Sequence, residues 1–103
     1  MENQVIKCLL LKNGDLLISE IAEIDTELGG PDCKLINPYK MKNEFKDDKS
    51  DYTMEPWLDF TSQTEMMMHS DSILTIVAPT TMILSRYLDT VSYTHLRAHE
   101  TTP

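Results

Sequence analysis

KNGDLLISEIAEID, residues 12–25, decides the fold. Asn13-Gly14 is a strong hairpin signal, because both residue types accept a positive φ. The apolar, β-prone VIKCLLL (5–11) precedes it and LLISEIAEI (16–24) follows, so residues 4–25 read as a hairpin. The return strand does not alternate cleanly. Leu16, Ile18, Ala22 and Ile24 share one parity, while Leu17 and Ile21 break it. Such a break fits a bulge or a strong bend, as in a small barrel. Leu17, Ile21 and Ile24 also have helical spacing, so a helix is the competing reading of this segment.

Downstream, TELGGPD (26–32) is a turn-rich loop. Its glycine pair lacks the frames of a phosphate-binding loop. CKLINPYKM (33–41) predicts a third strand, with Pro38 marking an edge or a bend. KNEFKDDKSDYTME (42–55) has almost nothing to bury and reads as a long solvated loop. Asp47, Asp48 and Asp51 lack the glycine and closing glutamate of an EF-hand. PWLDF (56–60) carries the only tryptophan, Trp57. TSQTEMMMHSDSILTIVAP (61–79) predicts a fourth and a fifth strand joined at His69-Ser70-Asp71. Met66, Met67 and Met68 fill a core or an interface, and SILTIV is buried on both faces or paired across an interface. TTMILSRYLDT (80–90) predicts a short amphipathic helix, capped by Thr80 or Thr81, with Met82, Ile83, Tyr87 and Leu88 facing inward. The fold class is therefore mostly β: a small, five-stranded, strongly bent antiparallel barrel with a C-terminal helix.

The end of the chain is a separate matter. His95 and His99 in VSYTHLRAHETTP (91–103) are spaced like ligands on one helical turn, but the further ligands of a zinc site are missing. The eleven residues VSYTHLRAHET are one reading frame through a transposase-type sequencing adapter. Residues 91–103 are accordingly read as a non-native tail, and residues 1–90 as the single domain. The chain carries 9 basic and 17 acidic residues, a net charge of −8. Arg97 and Glu100 in the tail cancel, so the domain keeps that charge. An acidic surface is a poor footprint for duplex nucleic acid, whose binding rests on phosphate neutralisation. No apolar run approaches a membrane span, and MENQVIK lacks the features of a signal peptide. A cytoplasmic setting and reduced, buried Cys8 and Cys33 are the expectation.

No catalytic constellation, cofactor motif or metal site is legible. His69 and Ser70 are adjacent, so on a strand their side chains point apart. The expectation is a protein that is not an enzyme.

The order of these segments resembles the Sm-like (LSm) family, in the variant seen in marine phages, over about residues 4–88. The first Sm motif runs from a glycine turn through a bent strand to an aspartate. Here KNGDLLISEIAEID followed by CKLINP has that spacing, with Gly14 at the turn and Asp25 at the acidic position. The charged 42–55 segment falls where the family has its variable loop. MHSDSILTI occupies the second motif, with His69-Ser70 in place of Arg-Gly; the strand-two glycine is replaced near Ser19, and the first-motif asparagine is absent. The resemblance implies a homo-oligomeric ring closed by pairing strand four of one subunit with strand five of the next. It also implies single-stranded RNA, U- or A-rich, bound at the pore through Asp25, His69, Ser70 and Asp71. Two other readings stay open. One is an interaction scaffold without RNA affinity, favoured by the charge; the other is an SH3-like barrel that forms no ring.

Overall fold

A computed structural model describes residues 5–25 and 28–100, with side chains as far as Ser92. The chain forms β1 (Ile6–Leu11), β2 (Leu16–Glu23), β3 (Cys33–Lys46), β4 (Lys49–Pro56), β5 (Glu65–Met68), a 3-10 turn (Ser70–Ser72), β6 (Ile73–Val77) and α1 (Thr81–Glu100). All strand pairs are antiparallel, in the order β4-β3-β2-β1-β6, with β5 also on β3.

The 12–25 segment folds as the hairpin partner of β1, in register from Ile6↔Glu20 to Leu10↔Leu16. Only Gly14 uses a positive φ, at 96°. Leu11 accepts from the Gly14 amide at 2.9 Å and donates to the Asp15 carbonyl at 2.9 Å, the pattern of a turn with a glycine bulge.

The mixed parity of β2 comes from burial on both faces, and a separate irregularity interrupts its pairing with β3. Ile18 pairs with Tyr39 but Glu20 pairs with Ile36, so Asn37 and Pro38 stand opposite Ser19 alone. Asn37 takes φ 55°, a conformation asparagine tolerates better than most residues. Fully buried Ser19 has its hydroxyl 2.8 Å from the Glu20 carbonyl and 3.1 Å from that of Ile36. This bulge changes the parity of β3, so that Cys33 and Leu35 face one side and Tyr39 and Met41 the other, while in β2 plain alternation sends Leu16 and Ile18 to one core and Leu17 and Ile21 to the other.

Each face of the sheet has its own core. Cys8, Ile18, Tyr39 and Met41 pack under Ile83 and Tyr87 of α1. Leu9, Leu11, Leu17, Cys33 and Leu35 pack on the other side with Trp57, Met66, Met68 and Ile73. The two thiols are free and lie in different clusters, which places them apart. Burial pushes both thiol pKa values up.

The sheet is strongly curled. β5 reaches Cys33 at one side of β3, and after three residues of 3-10 turn β6 starts opposite Leu11 of β1. The path is nonetheless open: among the described residues, β6 pairs with β1 only.

The structure corrects several expectations. Residues 42–55 are not a loop. They extend β3 and form β4, a two-stranded ribbon in register from Tyr39↔Pro56 to Lys46↔Lys49. Asp47 and Asp48 close it with φ 52° and 61°, a two-residue turn of the primed type. The ribbon gains backbone hydrogen bonds while burying little, so its charged side chains stay solvated. Among the described residues the sheet thus has six strands rather than five. The helix does not stop at residue 90 but continues to Glu100, as no Gly or Pro interrupts it. Thr80 caps it, its hydroxyl accepting from the Ile83 amide at 3.3 Å. Met82 and Leu88 are exposed rather than inward. Met67 also points out, between inward Met66 and Met68.

Candidate functional site

The 3-10 turn is held by Asp32. Its two carboxylate oxygens accept from the Ser70 backbone N–H and from the Ser70 hydroxyl, both at 2.8 Å. Those two bonds, the backbone one first, hold the Asp32 carboxyl below the usual carboxylate range. The Ile24 amide donates to the Asp32 carbonyl at 3.3 Å, which closes the loop after β2. The sequence therefore joins two distant segments through one side chain, 38 positions from its partner.

A cavity of about 220 Å³ opens between these segments, lined by Gly29, Gly30, Asp32, His69, Ser70 and Asp71. Of the residues read from the sequence, His69, Ser70 and Asp71 are brought together here. Asp25 is exposed and does not line the cavity. Asp32 is the residue of this cavity that the sequence reading missed; the turn signal of GGPD located the loop but not its partner. The cavity offers an imidazole, two carboxylates, a serine and the backbone of two glycines: a flat face with hydrogen-bonding groups, and acidic overall.

A second polar centre lies beyond the turn. Asp15 accepts from Trp57 Nε1 and from Asn13 Nδ2, both at 3.3 Å, and pairs with Lys40 Nζ at 3.4 Å. Desolvation raises the Asp15 carboxyl pKa, but the bonds from Trp57, Lys40 and Asn13 outweigh it and leave the pKa lowered. On the ribbon side, Arg86 of α1 bonds the Asp51 carboxylate and donates to the Tyr52 carbonyl at 2.8 Å.

Among the described residues, no three His, Cys, Asp or Glu side chains are grouped as metal ligands. The side chains of His95 and His99 lie outside the described residues. No described helix is long and apolar enough to cross a membrane.

β6 presents the other notable surface. Leu74, Ile76 and Val77 are 61%, 45% and 52% exposed on a strand with one unpaired edge. Both faces of the strand meet solvent.

The chain belongs to a family of unknown function, DUF6561, whose model matches residues 4–92. No curated protein matches the chain.

Proposed function

We propose that this protein is a non-enzymatic, Sm-like subunit that closes into a homo-oligomeric ring and binds single-stranded RNA at the cavity between residues 29–32 and 69–71. The observation that carries this reading is β6. A strand that exposes three large apolar residues and a bare edge is unstable as a free surface. Pairing with the bare edge of β5 in a neighbouring copy covers it. Such a head-to-tail contact repeats until the ring closes.

The topology supports the same reading. β2 occupies one side of β3 at both Cys33–Ile36 and Tyr39–Lys40, so β4 and β5 both lie on the other side. They act as one interrupted strand. The sheet then has five positions, (β4/β5)-β3-β2-β1-β6, which is the count of a five-stranded barrel. Asp32 brings the loop after β2 against the turn before β6, the two segments that the Sm-like resemblance assigns to nucleotide binding.

The second reading is a ring that binds protein rather than RNA. Asp32 and Asp71 favour it, because they make the cavity acidic and repel phosphate. Binding a dye-labelled oligo-U to the full chain and to His69→Ala separates the two. The RNA reading predicts saturable binding that weakens about tenfold in the variant, as expected for loss of a stacking face. Absence of binding to the wild-type chain leaves the scaffold.

A further inference from the structure

Beyond the 3-10 turn lies a cavity of about 480 Å³, roughly twice the volume of the His69 cavity. It falls within the range of small-molecule sites, roughly 300–1,000 Å³. Its walls include Lys12, Trp57, Met68 and Asp71. Asp71 lines both cavities, so the two adjoin across the turn.

We infer that this cavity is a second nucleotide position, which stacks a base of single-stranded RNA on Trp57, sets its phosphate beside Lys12 and offers Asp71 to the base edge. The inference rests on the RNA reading proposed above and extends its site by one nucleotide.

Three observations carry it. First, the indole is only partly buried and is fixed: its Nε1 donates to Asp15, itself tied to Lys40 and Asn13. A face held in place before binding loses little freedom on stacking. Second, Lys12 is exposed, and among the described residues it forms no ion pair. Its backbone is fixed by donation to the Ser72 carbonyl at 2.8 Å, which sets the β1–β2 turn against the 3-10 turn. Third, with a net charge of −8, phosphate neutralisation is a small share of any RNA binding here, so stacking must supply more of it. Stacking on the only tryptophan, with one local cation, is the mode compatible with that charge. A carboxylate is an acceptor for the amino and imino hydrogens of a base.

Trp57 is the only tryptophan and lines this cavity, so the protein's tryptophan emission comes from a residue at this position. The full chain is titrated with dye-labelled oligo-U, following dye anisotropy and tryptophan emission together, in wild type and in Lys12→Ala. The inference predicts quenching that saturates with the anisotropy. It also predicts about fivefold weaker binding of Lys12→Ala at ~0.1 M salt, with a salt slope shallower by about 0.7, the share of one single-strand phosphate. Trp57 packs against the core, so Trp57→Phe serves as the conservative variant and is expected to bind more weakly than wild type but measurably. Binding by anisotropy with silent tryptophan emission, or with Lys12→Ala at wild-type affinity, overturns the inference and leaves the His69 cavity standing. No binding of oligo-U at all overturns both.

Discussion

The Tyr87 hydroxyl, on α1, donates to the carbonyl of Asn37, in the bulge of β3, at 2.9 Å. It also lies 3.4 Å from the Ile36 carbonyl. The Tyr87 ring meets Tyr39 edge-on, with centroids 6.0 Å apart. One side chain thus docks the helix on the sheet and fixes the irregularity that bends it. Removing the hydroxyl strands a carbonyl, so Tyr87→Phe costs about 1–2 kcal/mol in urea unfolding. Tyr87→Ala also opens a cavity and costs about 3–5 kcal/mol.

Burial pushes the Tyr87 phenol up to about 12. In the unfolded chain it titrates near 10. The unfolded state therefore loses its proton first as pH rises. Stability from this group is fully present below about pH 10 and declines up to about pH 12. A pH series of urea midpoints checks this: the decline over that window is shallower in Tyr87→Phe.

Asp15, Asp32 and Asp51 all have lowered pKa values. Their contribution is present above the unfolded value, about 3.9, and is lost as pH falls through the folded values. Thermal melts below about pH 4 therefore lose stability. Asp32→Asn lowers the melting temperature at neutral pH and flattens that acid limb, because its carboxylate holds the 3-10 turn.

Among the described side chains, the last of α1 to meet the core lies at the start of the tail. Val91 packs against the helix-side core. A chain ended after Ser92 is expected to melt like the full chain. One ended after Thr90 loses the Val91 contact, up to about 1 kcal/mol or a few degrees. A drop of that size already in the chain ended after Ser92 would show that the adapter-like segment packs beyond Val91 as well.

Much of the hairpin, the start of β3, β5, β6 and the helix start was legible, because apolar runs and breakers mark them. The mixed parity of Leu16 to Ile21 reflects burial on both faces of β2, and the bulge beside it, at Asn37-Pro38, belongs to the partner strand and left no mark in β2 itself. The 42–55 ribbon was not legible. Its strands are stabilised mainly by backbone pairing and leave Phe45 and the charged residues in water; only Tyr52 and Met54 alternate toward the core, too short a period to signal a strand. Asp47-Asp48 turns less recognisably than Asn-Gly. For the site, turn chemistry located His69, Ser70 and Asp71, and the Sm-like resemblance singled them out for binding. Asp32 was not, because its role depends on a contact across 38 positions.

β6 carries the central claim, and assembly tests it most directly. Native mass spectra of the full chain and of Ile76→Lys would be compared. The account predicts one closed oligomer for the wild type and monomers for the variant, whose charge cannot be buried in a strand interface. A wild-type monomer, or a variant that assembles unchanged, would contradict it.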